Sequence, residues 1–147
     1  MGLSVKDDPR KVVDIAGRAW GEPVDGLALS ALLKPKEDPD ELPAISVAIH
    51  NRGAQPRRLQ MRGWLSFYDF SVLDSQGVQA KPTSYGTELR KPERLPAPSE
   101  VVLNAGEATE ADIPVASIYA MARGHYRVRV SCAAPEPLVS NEVEVKV

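Results

Sequence analysis

The sequence has almost none of the residues that cross-link a small protein or hold a metal ion. Cysteine occurs once in 147 residues, at Cys132, so no disulfide can form within the chain. A single thiol is compatible with both reducing and oxidising compartments. Histidine occurs twice, at His50 and His125. Both are predicted to lie on outward strand faces, and we expect neither a metal site nor a cofactor.

Long apolar runs are also missing. No stretch approaches the roughly 20 apolar residues of a membrane-spanning helix, so we expect no membrane insertion. The opening, MGLSVKDDPRK, contains no apolar signal core, which fits a cytoplasmic protein or an exported one whose signal peptide has been removed. Lys and Arg number 18 against 20 Asp and Glu. Without a basic excess, nucleic acid is not an expected partner.

The common catalytic motifs are absent from the sequence. It contains no Gly-x-Ser-x-Gly elbow, no His-Glu-x-x-His helix, no phosphate-cradling glycine loop and no Cys-x-x-Cys pair. Cys132 is predicted to face a core, whereas a reactive thiol needs a partly exposed, electropositive setting. We therefore predict that the chain is not an enzyme.

Alternation of apolar and polar residues is what the sequence does contain, in short stretches separated by prolines and glycines. This period of two is typical of antiparallel strands with one buried face. The predicted inward faces are Leu27, Leu29, Ala31 and Leu33; Ile45, Val47 and Ile49; Tyr68, Phe70 and Val72; Tyr126, Val128, Val130 and Cys132; and Val143, Val145 and Val147. Seven to nine strands predict an all-β antiparallel sandwich, immunoglobulin-like or fibronectin type III-like, with Trp20 and Trp64 plugging its ends.

The aromatic stretch FYDFSVLDSQG, at Phe67–Gly77, suits either a ligand-binding face or a wall of the core. Tyr68, Phe70 and Val72 share one face, and that face carries no neighbouring pair of carboxylates or amides to hold a sugar. Strand faces of aromatic and β-branched residues are typical of a core. We predict a core wall, followed by a hairpin turn at Asp74–Gly77.

Residues 1–19 are predicted to form an extension before a sandwich domain at 20–147. Asp8–Pro9 suits a helix start, and the apolar residues that follow have helical spacing. A short helix or an irregular segment is the prediction. Val13 and Ile15 equally suit an edge strand.

Periodicity disappears between Lys81 and Ser99, where four prolines occur. Loops of this length are uncommon in compact domains and are often functional. A proline-rich loop on a rigid sandwich suits peptide recognition, and a crossover pinned by its own leucines is an equal alternative. The residues predicted to contact a partner are Tyr85, Leu89, Arg90, Arg94 and Leu95.

Two charged clusters follow the first strands. NRGAQPRRLQMRGW holds four arginines with no acid between them, and arginine pairs well with carboxylate or phosphate. An anionic partner is one interpretation of Arg52, Arg57, Arg58 and Arg62, and a charged strand edge that resists pairing is the favoured one. KEDPDE, at Lys36–Glu41, matches no calcium-binding loop and is predicted to be a solvated acidic loop.

Several stretches, taken together, resemble an immunoglobulin-like module found in uncharacterised bacterial proteins. Such modules open with Trp-Gly-Glu and Gly-Leu, here WGEPVDGLALSALL at Trp20–Leu33. They continue with an Asn-Arg-Gly-like turn, here HNRG at His50–Gly53, and close with Gly-x-Tyr and Ser-Asn strands, here GHYRVRV and SNEVEVKV. The resemblance covers Trp20–Val147 and implies a fold but no activity.

A looser similarity links YDFSVLDSQG, LNAGEA and GHYRV to the bacterial intracellular proteinase inhibitor family, whose fold is also an immunoglobulin-like sandwich. The tryptophan-containing strand expected after Gly77 is replaced here by VQAKPTSYG. We therefore predict a non-catalytic, protein- or peptide-binding accessory module of a bacterial protein. The alternative is a protease inhibitor that acts through an exposed loop.

Overall fold

The chain forms antiparallel β-strands joined by a few short helical segments. The computed structural model describes residues 10–12, 15–133 and 135–147. The strands are β1 (Arg10–Val12), β2 (Leu27–Leu33), β3 (Ile45–Asn51), β4 (Arg57–Met61), β5 (Asp69–Leu73), β6 (Ser99–Leu103), β7 (Ala108–Ile113), β8 (His125–Cys132), β9 (Leu138–Val139) and β10 (Val143–Lys146). The helical segments are α1 (Trp64–Phe67), α2 (Ser84–Leu89), α3 (Val115–Ile118) and a 3-10 turn at Pro92–Arg94.

The strands form two sheets and a ribbon. Sheet 1 has the order β1-β7-β3-β2, sheet 2 has the order β10-β8-β5, and the ribbon pairs β4 with β6. Both β9 and β10 pair with β8 on the side opposite β5, so they are two parts of one interrupted strand. Counted this way, the described residues hold nine strands. The predicted all-β antiparallel sandwich is confirmed, and its immunoglobulin-like type stays a prediction.

One hydrophobic core lies between the sheets. Tyr68 and Phe70 are 1% and 8% exposed, so the aromatic stretch lines the core as predicted. The alternating residues of β8 are also buried, from Tyr126 to Cys132. The prediction for β2 is wrong at its end, because Leu33, in the last pair of the β2–β3 ladder, is 42% exposed. Alternation along a strand does not reveal where the opposite sheet stops covering it.

The side chain of a buried asparagine holds the bend where the chain leaves the β3–β7 ladder and enters the ribbon. Asn51, at the end of β3, is fully buried. Its side-chain nitrogen donates to the carbonyl oxygens of Gln55 at 2.8 Å and Leu103 at 2.9 Å, and its oxygen accepts from the Gly53 amide at 2.9 Å. These bonds satisfy main-chain groups that the bend removes from the ladder.

The Trp-Gly and Ser-Asn stretches meet at the free edge of β2. The Gly21 amide donates to the Leu29 carbonyl at 2.9 Å, and a Cβ at Gly21 would lie 1.8 Å from the Val139 carbonyl oxygen. The Asn141 side chain donates to the Ala31 carbonyl at 2.9 Å and accepts from the Ala31 amide at 3.0 Å. These sequence features therefore close one side of the sandwich.

Residues 15–21, which we call the strap, cross the outer face of sheet 1. Arg18 lies at the centre, with its side chain only 3% exposed. Its guanidinium donates to the Ser30 hydroxyl at 3.3 Å, to the Ser46 carbonyl at 3.2 Å and to a Glu110 carboxylate oxygen at 2.8 Å. Because these acceptors lie on three different strands, the strap ties β2, β3 and β7 together.

The prediction of an N-terminal helix is wrong for the described residues. β1, at Arg10–Val12, pairs with β7 and forms an edge strand of sheet 1 that ends before the residues where the alternation had equally allowed one. Ile15 lies in no strand, and residues 15–20 are irregular, the other form that was predicted. No helix occurs at 15–20, where Gly17 has a φ of +80° that a right-handed helix does not accept. Asp8–Pro9 and Val13 lie outside the described residues.

The prediction that Thr83–Ser99 lacks regular structure is also wrong. Thr83 caps α2, since its hydroxyl accepts from the Gly86 amide at 3.0 Å and donates to the Ser117 carbonyl at 2.7 Å. Gly86 packs so tightly that a Cβ would lie 2.3 Å from the Ile118 carbonyl oxygen. The helix has only six residues and is flanked by prolines, so its sequence shows no clear period.

The two tryptophans occupy different environments. Trp64 begins α1, is fully buried and joins the core, and Phe67 belongs to the same helical turn instead of the predicted strand. Trp20 is half-buried on the outer face of sheet 1, where its ring lies 5.5 Å from that of His50. Trp20 therefore covers a sheet and does not plug an end.

Candidate functional site

The predicted recognition segment is held against its own domain. Tyr85 and Leu89 lie on α2 and pack, half-buried, against the core. The Arg90 guanidinium donates to the Tyr119 hydroxyl at 3.1 Å. Burial raises the pKa of Tyr119, and the Arg90 charge opposes that shift. Three of the five predicted contact residues thus make contacts within the chain that explain their positions.

The other two predicted residues lie at the end of this segment. Arg94 pairs with Glu88 at 3.4 Å, and Lys91 pairs with the same carboxylate at 2.8 Å. The hydrogen bond and charge of Lys91, and then those of Arg94, lower the pKa of Glu88. Leu95 is half-buried. The exposed charges of the segment are therefore largely neutralised among themselves.

The four arginines of the predicted anionic patch have separate partners. Arg57 contacts Glu136 at 3.1 Å and Asp25 at 3.5 Å. Arg58 pairs with Glu100 across the ribbon at 2.8 Å. These two side chains therefore face carboxylates of the chain itself.

The remaining arginines flank the ribbon. The Arg62 guanidinium donates to the Pro96 carbonyl at 3.0 Å. The Arg52 guanidinium lies 5.2 Å from the centre of the Trp20 ring, a cation–π distance. The four arginines do not converge on one free surface, and an anionic partner stays a prediction.

The groups with the most reactive chemistry are kept apart or buried. Burial raises the pKa of the Cys132 thiol to about 11, which disfavours the nucleophilic thiolate. His50 and His125 lie on the outer faces of opposite sheets. Within the described part of the chain, no group of three or more His, Cys, Asp or Glu is placed to hold a metal ion. No helix in the same part is long and apolar enough to cross a membrane.

A different surface stands out at the tip of the β2–β3 hairpin. Among the described residues, three of the five large hydrophobic side chains that are exposed belong to it: Leu32, Leu33 and Leu42. Leu42 lines a hollow of about 350 Å³ and Leu32 lines one of about 260 Å³, and the two hollows share Lys34 and Pro35. We call these two hollows and the acidic loop at Glu37–Glu41 the hairpin surface.

The loop that carries Leu42 is ordered by its own carboxylates. The Asp38 side chain accepts from the Asp40 amide at 2.9 Å, and the Glu41 amide donates to the Asp38 carbonyl at 3.0 Å. The Glu41 side chain accepts from the Glu37 amide at 3.3 Å. These bonds form an Asx-type turn and hold Leu42, 59% exposed, beside the acidic side chains.

The four carboxylates of the loop are all exposed, and no ion pair reaches them from the described residues. These residues are Glu37, Asp38, Asp40 and Glu41. The nearby Lys34 is taken by Asp112 at 2.8 Å. Elsewhere, as on α2 and the ribbon, carboxylates pair with neighbouring cations. The hairpin surface thus combines exposed leucines with an excess of negative charge.

A further exposed hollow lies on the outer face of sheet 2. The hollow measures about 340 Å³ and is lined in part by Asp74, His125 and Arg127. Arg127 and Arg129 both approach Glu142, at 3.7 and 3.1 Å. The side chains that line this hollow are mainly polar or charged, and Arg127 is already paired, whereas exposed leucines line the hollows of the hairpin surface.

Sequence reasoning did not select Leu32 and Leu42. Leu33 is predicted to face the core, and no prediction is made for Leu32 or Leu42. The adjacent leucines at Leu32–Leu33 break the alternation of β2, and Leu42 stands between acidic Glu41 and Pro43, where no strand face can bury it. Those two signals mark the surface in retrospect. No protein-family model matches the chain, and no curated protein matches it either.

Proposed function

We propose that this chain is a non-catalytic, protein-binding accessory module of immunoglobulin-like type, and that the hairpin surface is its contact region. The observation that supports the proposal is the exposure of Leu32 and Leu42, which line the two adjoining hollows at the tip of the β2–β3 hairpin. Exposed apolar side chains clustered beside polar ones are typical of interaction sites, whereas singly scattered ones need no explanation.

The ordered conformation of the loop at Glu37–Glu41 also favours a binding role. A contact surface that is already ordered loses less conformational entropy when a partner binds. The turn at Asp38–Glu41 is fixed by hydrogen bonds, and the Lys34 amide donates to the Ala44 carbonyl at 3.0 Å at the base of the loop. The leucines are therefore presented by a hairpin with a defined shape.

Protease inhibition receives less support from the geometry. An inhibitor of the kind expected inserts an extended loop into a cleft, but residues 84–89 and 92–94 are helical. Tyr85 and Leu89, the apolar residues of that segment, turn toward the core. Inhibition stays a prediction, and titration of a protease panel with the purified chain tests it.

Site-specific photo-crosslinking in cells of the source organism tests the proposed function. The photoreactive residue p-benzoylphenylalanine replaces Leu42 in one variant and Val78 in the other. Val78 is a matched control, because it is 60% exposed and lies in the turn after β5, a strand of sheet 2, whereas the hairpin belongs to sheet 1. We expect a discrete heteromeric adduct at position 42, whose protein component then binds the purified chain.

The same experiment can contradict the proposal. If positions 42 and 78 give the same adducts, or if the adduct at 42 survives Leu32→Ser, the hairpin surface is not a specific contact region. Leu32→Ser is a suitable test because Leu32 is already 37% exposed, so its loss costs the core little.

A further inference from the structure

The charge of the hairpin surface indicates what kind of partner it takes. Glu37 and Glu41 line the hollow that holds Leu42, and Asp38 and Asp40 lie in the same loop. The described residues supply no ion pair to any of these four carboxylates. Lys36 lines the same hollow as Leu42. It has no ion-pair partner among the described residues. A partner with basic side chains would reduce the repulsion among these carboxylates.

The shape of the surface favours side chains of a peptide over a small molecule. Small-molecule pockets bury most of the ligand. Here the lining itself is exposed, with Leu42 at 59% and Leu32 at 37%. Two adjoining hollows on either side of Lys34 and Pro35 suit successive side chains of an extended segment.

We infer that the hairpin surface binds a basic peptide segment of another protein. An apolar side chain of that segment packs against Leu32 or Leu42, and Lys or Arg side chains beside it face the carboxylates of Glu37–Glu41. This inference rests on the proposed function and adds the chemistry of the partner to it.

The complementary charges act mainly on the rate and specificity of association. Exposed ion pairs contribute little each and weaken as salt screens them. The leucines supply the contact that salt does not weaken. We therefore expect binding to need both the leucines and the carboxylates. Added salt should strongly weaken the contribution of the carboxylates and leave that of the leucines unchanged.

Selection from a phage-displayed library of random dodecapeptides on the immobilised chain tests the inference. We expect enriched peptides to combine an excess of Lys and Arg with one or two apolar residues. A fluorescently labelled enriched peptide is then titrated by anisotropy. We expect Leu42→Ser to weaken it by about tenfold or more. The isosteric pair Glu37→Gln and Glu41→Gln should weaken it by about fivefold at low salt and by little at about 0.5 M salt.

A second pair of substitutions is the matched control. Glu22→Gln with Asp25→Asn also removes two exposed carboxylates, but these lie before the start of β2, at the opposite end of that strand from the hairpin tip. We expect this variant to bind as the unmodified chain does. If it loses as much affinity as the hairpin variant, the effect is one of net charge and the inference is wrong.

Other outcomes separate this inference from the proposed function. Enriched peptides that need Leu42 but carry no basic excess would overturn the partner chemistry and leave the binding module standing. If peptide enrichment is unchanged by Leu42→Ser, or if no peptide is enriched, the peptide inference is overturned. Photo-crosslinking decides the proposed function independently. Saturable calcium binding lost in the Glu37→Gln and Glu41→Gln variant, or a dimer lost in Leu42→Ser, would identify a cation or a second copy as the occupant instead.

Discussion

The outer faces of the two sheets are built from different residues, and the strap covers only one of them. On sheet 1 the outward residues under the strap are small and buried, with Ala28, Ser30 and Ala48 at 0% exposure. On sheet 2 the corresponding positions carry long charged side chains such as Arg127 and Arg129, 53% and 55% exposed. A strand whose two faces are both buried does not alternate in polarity, whereas one with a wet face does.

The difference also separates two kinds of arginine. Arg18 is enclosed by hydrogen-bond acceptors from three strands, so it acts as part of the packing. Arg129 meets one exposed carboxylate, Glu142. Arginine therefore stabilises the outer face of sheet 1 and mainly solvates that of sheet 2. Substitutions on the two faces should then differ in their cost to stability.

Phe70→Ala tests whether both faces depend on one core. Phe70 is 8% exposed and its ring lies 6.1 Å from that of Tyr119. We expect the free energy of unfolding to fall by about 3–5 kcal/mol, as for other buried Phe truncations. Urea denaturation followed by circular dichroism measures it. A loss below about 1 kcal/mol would mean that this side chain does not contribute to the core.

Matched substitutions on the two faces sharpen the comparison. Arg18→Met keeps the length of the side chain but removes its donors, including the one that lies 2.8 Å from a Glu110 carboxylate oxygen. We expect a loss of about 3 kcal/mol, the lower end for a broken buried pair, because Glu110 is 22% exposed. Arg129→Met should cost less than about 1 kcal/mol. Equal losses in urea denaturation would remove the distinction between the faces.

Asn141→Ala breaks the junction that joins the two sheets. The substitution removes two hydrogen bonds and leaves both main-chain groups of Ala31 without partners. We expect a loss of about 2 kcal/mol, together with faster exchange of the Ala31 amide proton. If the amide remains protected in hydrogen-exchange NMR, another group closes this edge.

His50 gives the smallest expected effect, and only in its dependence on pH. Burial, and then the charge of Arg52, lower the pKa of His50 in the folded chain. The unfolded chain then takes up a proton at a higher pH than the folded one, so the free energy of unfolding falls as the pH drops from about 7 to about 5. His50→Gln should reduce that slope. An unchanged slope in denaturation curves across this range would contradict the burial of a neutral imidazole.

The sequence predicts strands well where alternation reports a single wet face. Tyr126–Cys132 and Val143–Val145 alternate cleanly, and the structure pairs these strands and buries their apolar residues as expected, whereas Val147 lies beyond the strand and is half-buried. Helical segments were harder, because the capping of α2 by Thr83 depends on its contact with Ser117, which is distant in the chain. Ion pairs such as Arg57 with Glu136 join residues 79 apart, and no local pattern reports them.

The candidate site follows the same rule. The acidic loop at Lys36–Glu41 could be recognised as solvated from its composition, and it is exposed. The exposure of Leu32 and Leu42 could not be predicted, since an apolar residue in a sequence carries no mark of whether the fold covers it. Exposure is decided by where sheet 1 extends past its covering, and that depends on the whole chain.

The closure of the β2 edge has a consequence for synthesis of the chain. Val24 and Gly21 pair with Leu27 and Leu29 through local hydrogen bonds, so that part of the edge closes early. The amide and carbonyl of Ala31 gain their partner only from Asn141, 110 residues later in the chain. Until that residue has been translated, one stretch of strand edge stays open to pairing with other nascent chains. This fold is therefore most exposed to aggregation on the ribosome, before its last strands are made.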